Sequence, residues 1–296
     1  MQNDVLKLIN TPAQTAFKKS AGQNNHFLIT ILVGLDAVKV GSATLNEEFS
    51  TVWNPRDHAR SAARSREYAL VTSLAWIVDL VDAYRKRTLQ VDALFTALEV
   101  AVINNLDGGR EKLTAVTDRL RLDKDDPELN LVLFGLNWRN ATVHSGGPLR
   151  IRSQTRTNLE KHANDIASLH RGLDIVRAIN SFEAGLSPSF KEVASIIAAA
   201  HRLIGIIDNA IVTMVNTEEY TEKLLGSYFK SRFSLNNQVY NQFWPGSVHK
   251  SRSRLETFLL QSGFGRAPDG QTLSRTYLEE LCALSARDAH YRFSPP

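Results

Sequence analysis

Residues 126–147, DPELNLVLFGLNWRNATVHSGG, dictate more about the fold than any other stretch of this chain. Pro127 directly after Asp126 fits a helix cap followed by the first helical position. Leu129, Val132, Leu133 and Leu136 recur at helical spacing, and Leu131, Phe134 and Trp138 make a second apolar row. A helix that is apolar on more than one face belongs in the interior, with other elements packed on several sides. The run then turns polar, through Arg139, Asn140, Thr142 and His144, before Gly146, Gly147 and Pro148 end it. An arginine, an amide and an imidazole therefore stand where a central helix runs out of core.

The rest of the chain reads as further helices. Residues 27–40 put Phe27, Ile31, Leu35 and Val38 on one helical face, widened by Leu28, Ile29 and Leu32, with a strand as the alternative, while residues 1–25 are polar and expected to be frayed or loosely docked. Residues 56–88 read as one long helix with Leu70, Leu74, Ile77, Val78 and Val81 on a core stripe. Its first half carries Arg56, Arg60 and Arg64 every four residues, a basic ridge. Residues 91–105 are expected to bury Leu94, Leu98, Ala101 and Val102, and 111–122 form a short helix. Residues 154–180 are expected to turn Leu159, Ile166, Leu169, Leu173 and Val176 inward. A small-residue-rich helix follows at 190–216, and then 218–233, 251–262 and 272–289. No alternating strand pair appears, so the expected class is all-α. The turn at 185–189 predicts a helical domain over 1–186 and a C-terminal helical extension over 187–296 packed on it.

Several chemistries have no support in the motifs. No GxxxxGK[ST] or GxGxxG run follows a strand, no HExxH pair occurs, and the histidines lack metal-ligand spacing, so neither a cofactor nor a metal is expected. Cys282 is the one cysteine, which leaves no disulfide framework and no cysteine zinc site. The apolar run at 27–40 is too short to span a bilayer, and that at 196–215 carries His201, Arg202 and Asp208. A cytoplasmic protein without a membrane partner is expected. The formal charge of +4 and a pI near 9.2 are compatible with a polyanionic partner. From Lys223 to Leu255 there is no acidic residue, while cations alternate with Tyr228, Phe229, Phe233, Tyr240, Phe243 and Trp244. Such a stretch can track a phosphate backbone and stack bases, or it can be a core-anchored segment with a basic rim. Arg56, Arg60, Arg64, Lys250, Arg252 and Arg254 are the candidate RNA contacts on the first reading.

The cluster Arg139-Asn140-x-x-x-His144 resembles the signature of the HEPN superfamily, an arginine with a histidine four to six residues on and often a polar residue directly after the arginine. Composition alone yields Arg-Asn with a His at that spacing roughly 0.04 times in such a chain. The resemblance covers residues 27–180 by architecture and only these residues by motif. It implies an HEPN-like helical bundle and a metal-independent endoribonuclease, a toxin or prokaryotic defence effector, with Arg139, Asn140 and His144 as catalytic residues. A non-catalytic protein of the same type that binds RNA or nucleotide, or a helical dimer scaffold, is the alternative. On one straight helix Arg139 and His144 diverge by roughly 140°. Either the helix unwinds near Thr142, or two copies bring their helix ends together. The family takes the second course, which implies a homodimer with a composite site, and an antitoxin or regulatory partner is expected with it.

Overall fold

The computed structural model describes residues 5–44, 48, 53, 55–90, 94–143, 148–231 and 238–293. Among them it places, in chain order, β1 (Lys7–Leu8), α1 (Pro12–Lys39), α2 (His58–Leu89), α3 (Ala97–Asn105), α4 (Gly108–Arg119) and α5 (Pro127–Val143). Next come α6 (Ser153–Lys161), α7 (Ala163–Leu169), α8 (Ile175–Glu183), α9 (Phe190–Met214) and α10 (Thr217–Lys230). The chain continues with α11 (Gln238–Phe243), α12 (Val248–Gln261), β2 (Phe264–Gly265), β3 (Gln271–Thr272), α13 (Arg275–Ala283) and α14 (Ala286–Phe293). The all-α class holds. The three short strands form one antiparallel sheet in the order β2-β1-β3.

Two compact units are assembled from separated segments. The first comprises Met1–Ala16, Tyr84–Asp107 and Gly205–Pro296, and the second Phe17–Ala83 and Gly108–Ile204. Helices α1, α2 and α9 contribute residues to both. The 185–189 turn lies inside the second unit, where the Trp138 indole N–H donates to the Leu186 carbonyl at 3.3 Å.

In the first unit β1 sits between β2 and β3, and Gly263 adopts φ +98° where a Cβ would collide with the Asn10 carbonyl. Asp208, 1% exposed, accepts hydrogen bonds from the Thr11 backbone N–H (2.9 Å), the Thr11 hydroxyl (2.5 Å) and the Tyr84 hydroxyl (3.0 Å). Burial, with the Asp208 charge beside it, raises the Tyr84 hydroxyl far above its ordinary value. Helices α10 to α14 close over an aromatic core in which Phe229 stacks on Tyr240 (4.4 Å between centroids) and Trp244 on Phe293 (5.9 Å).

The second unit is organised on α5, whose residues are buried without a break from Glu128 to Gly135. Asp126 caps it by accepting the Leu129 N–H at 2.9 Å. Gly135 faces α9 so closely that an added Cβ would lie 2.6 Å from Cγ2 of Ile196. At the first turn the Glu128 carboxylate takes one hydrogen bond from the wholly buried His170 ring (3.0 Å) and one from Arg202 of α9 (2.9 Å). Burial alone pushes that carboxyl up, but the two hydrogen bonds outweigh it and hold Glu128 below its usual range. Arg110 of α4 donates to Thr155 (3.0 Å), the Leu133 carbonyl (3.3 Å) and Asn137 (3.1 Å), tying α4 and α6 to α5.

Several expectations are corrected. Residues 5–25 are docked rather than loose, because β1 pairs on both sides and Thr11 holds Asp208, while residues 1–4 lie outside the described residues. Helix α1 buries Phe17, Ala21, Asn24, Leu28 and Leu32 and leaves Phe27 and Ile31 about half exposed, so the flank of the expected face is inside rather than its centre. Asn24 is inside because its amide and the Ser73 hydroxyl and carbonyl satisfy one another (3.0 and 3.1 Å). The expected 91–105 helix begins only at Ala97, under a Thr96–Glu99 capping box, and exposes Leu98 and Val102. Residues 91–93 lie outside the described residues. The single helix over 154–180 is three, since Arg171 and Gly172 take positive φ and Asp174 caps α8. His170 is buried in that joint while Leu169 and Val176 are exposed. The core stripe of α2 and the inward face of α9 (Ile196, Ile197, Ala200, Leu203, Ile204, Ile207) are as expected.

Two outcomes follow from this packing. Gly135→Ala overpacks the contact with Ile196 and is expected to lower stability by about 1–3 kcal/mol in urea unfolding. Glu128→Ala strands a buried imidazole, at a loss on the order of 3 kcal/mol. Because the folded carboxyl is lowered, the wild type keeps Glu128's contribution above the ordinary carboxylate range and loses it as pH falls through the lowered value. The alanine variant is expected to lack that part of the acid dependence in a melting series.

Candidate functional site at the end of helix α5

Helix α5 stays helical through Val143, and the Thr142 hydroxyl donates back to the Trp138 carbonyl at 2.9 Å. Helix α5 thus does not unwind at Thr142 itself. His144 itself lies outside the described residues, so its position relative to Arg139 belongs to the proposal below. Arg139 and Asn140 are both described, and they meet: one guanidinium nitrogen donates to the Asn140 side-chain oxygen at 3.1 Å. The other terminal nitrogen pairs with Asp79 of α2 at 3.0 Å. Asp79 was not anticipated; sixty residues away and one of many solvated acids, it carries no local signal.

A cleft of about 550 Å³ opens beside this helix end. Arg64, Glu67 and Tyr68 of α2 line it, with Ala141 and Thr142 of α5 and the 185–187 turn. Tyr68 is 74% exposed, and the Glu67 carboxylate is engaged by the Ser187 hydroxyl. Arg64 forms no ion pair with a described acidic side chain. The cleft thus offers a phosphate the Arg64 guanidinium and the Tyr68 hydroxyl, and a base the Tyr68 aromatic face.

The other candidate residues divide. Arg60 and Arg64 are exposed one turn apart on α2, but Arg56 precedes the helix, which Asp57 caps at the Arg60 N–H (2.9 Å), so the three do not share a helical ridge. Lys250 and Arg254 are exposed on α12, whereas Arg252 is held by Glu256 at 2.8 Å, and Glu256 also binds Arg266 at 3.1 Å. The hydrogen bond to Glu256 raises the Arg252 guanidinium further. Base stacking by this stretch is corrected: Phe229, Tyr240, Phe243 and Trp244 are buried in the aromatic core. Arg232 and Phe233 lie outside the described residues. What remains outward is a basic rim on a core-anchored segment. Among the described residues no group of three metal-ligating side chains forms. One described helix, α9, is long and apolar enough to cross a membrane, and over half of its apolar window is buried inside the protein.

No protein-family model, curated protein or solved structure matches this chain. The functional reading rests on the residues themselves.

Asp79→Asn measures what holds Arg139. With Asp79 61% exposed, the pair is expected to contribute less than about 1 kcal/mol, so chemical denaturation of the variant should nearly overlay that of the wild type.

Proposed function

We propose that this chain is a metal-independent endoribonuclease of HEPN type, working as a homodimer in which two α5 ends form a composite site. The observation that carries the reading is Arg139 braced by Asp79 and Asn140 on α5, the helix whose Thr142 lines the cleft with Arg64 and Tyr68. A guanidinium so held presents planar donors that match the oxygens of a scissile phosphate and the charge that grows on them in the transition state. His144 acts as the proton-transfer group, its ordinary pKa being near neutrality. A base takes the proton of the ribose 2′-hydroxyl, the 2′-oxygen attacks phosphorus, and the bond to the 5′-oxygen breaks as that oxygen is protonated. The products are a 2′,3′-cyclic phosphate and a 5′-hydroxyl. The two-copy arrangement answers the divergence of Arg139 and His144 on one helix. The biological setting of this reading is a toxin or defence effector acting in the cytoplasm, restrained by an antitoxin or regulatory partner. Arg60, Arg64, Lys250 and Arg254 are its candidates for non-specific phosphate contact.

A second reading, RNA or nucleotide binding without cleavage, is favoured by one observation. The Asp79 carboxylate already occupies one edge of the Arg139 guanidinium and competes with a phosphate for it.

RNA cleavage by the wild type, His144→Ala and Arg139→Lys in EDTA decides between them. The wild type is expected to cut without metal and to slow below about pH 6. His144→Ala is expected to lose about 10²–10⁴-fold in rate at an unchanged melting temperature. Arg139→Lys should fail similarly, because an ammonium keeps the charge but not the paired donors. Wild-type cleavage rates in both folded variants overturn the assignment of the site. RNA bound but left intact by the wild type selects the second reading.

A further inference from the structure

The first unit contains a cavity that plays no part in the proposed chemistry. It measures about 500 Å³, within the range of roughly 300–1,000 Å³ typical of small-molecule pockets. Its wall is mostly hydrocarbon: Ala13, Leu94, Ile211, Val215 and Leu224 line it, with the Tyr220 ring. Three hydroxyl side chains reach it from buried positions; that of Tyr220 is closed off from solvent and has no hydrogen-bond partner among the described residues, and the other two are already committed. Thr11 donates to Asp208 and accepts the Gln14 N–H, and Thr88 donates to the Tyr84 carbonyl. A sugar or a nucleobase placed inside would meet at most the Tyr220 hydroxyl and leave its other polar groups unpaired, which disfavours them as occupants of the interior.

Charge is confined to the edge. Arg87 and Lys223 line the cavity while remaining exposed, so they stand where it meets solvent. Neither forms an ion pair with a described acidic side chain. Gln90 and Ser227, also exposed, complete a rim of hydrogen-bond donors. An apolar interior below two uncommitted cations matches a molecule with a hydrocarbon body and one anionic end. The volume admits a single chain and not the paired chains of a bilayer lipid.

We propose that this cavity binds a free amphipathic monoanion of the medium-chain fatty-acid class, the chain lying against Leu94, Ile211, Val215 and Leu224 and the carboxylate meeting Arg87 and Lys223. The site is independent of the α5 cleft, since all of its residues belong to the first unit.

Calorimetric titration of the full chain with three ligands of one chain length, below their micelle concentrations, tests the assignment. Decanoate is expected to bind saturably at one site, decanol more weakly, and decyltrimethylammonium not measurably. The paired variant Arg87→Glu/Lys223→Glu alters two exposed side chains and is expected to weaken decanoate by about tenfold or more, with an unchanged circular dichroism spectrum. Leu224→Trp, which fills the cavity, should weaken decanoate and decanol alike. The proposal is overturned if decanoate shows no saturable binding to the wild type, or if the cationic analogue binds as well as decanoate. It is equally overturned if the charge-reversed or the filled variant binds decanoate as tightly as the wild type. The headgroup series needs no variant, so the test stands even where a substitution disturbs folding.

Discussion

A helix buried without a break over two turns must satisfy each polar side chain it carries without water. Helix α5 carries Glu128 and Asn130 inside that buried run, and their partners fix its neighbours. Glu128 needs hydrogen-bond donors, and it draws in the His170 ring from the α7–α8 joint and the Arg202 guanidinium from α9. Asn130 donates to the carbonyls of Lys124 and Asp126 (both 2.9 Å), closing the acidic turn onto the helix. Arg110, lowered by burial and then by Arg152 nearby, reaches α5 from α4 and is satisfied by an amide, a hydroxyl and a carbonyl rather than a carboxylate. The second unit is in this sense packed around the polar minority of its most apolar helix. The Gly135–Ile196 contact then sets how near α9 can come.

The same requirement explains why the outer helices turned faces that periodicity misassigned. In residues 27–40 apolar side chains occur all round the helix, so the pattern permits two stripes. The stripe that won contains Asn24, which is inside because Ser73 of α2 completes its hydrogen bonds. Periodicity scores an asparagine against burial and cannot register a partner 49 residues on. Helix α3 shows the converse case. Its capping box pins the start at Ala97, and Phe95 just ahead of it supplies the buried anchor, leaving Leu98 and Val102 outside.

At the candidate site, the legible part was the local part. Arg139 next to Asn140 at the end of a buried helix can be read directly, and the two side chains do meet. The brace from Asp79 cannot, because it depends on which face of α2 lies beside α5. The aromatic residues after Lys223 had a pattern fitting either a stacking platform or a core, and packing chose the core for Phe229, Tyr240, Phe243 and Trp244. Exposure of an aromatic ring is a property of what covers it, and composition does not encode that.

By itself the sequence determined the helical class and the start of α5, through proline after an aspartate at Asp126-Pro127. The Thr96–Glu99 box and the Gly172 and Asp174 punctuation are equally local signals, which a reading of 91–105 and 154–180 as unbroken helices passes over. These are decided within a few residues, by dihedral preference and by hydrogen bonds to the nearest backbone, so they survive without knowledge of the whole. Tertiary structure alone decided which stripe of α1 is inside, that Glu128 meets His170 and Arg202, and that Arg139 is braced by Asp79. Each of those choices pairs groups tens of residues apart, and a buried charge or amide is stable only when its distant partner arrives. A sequence displays both members of such a pair but not the packing that brings them within 3 Å.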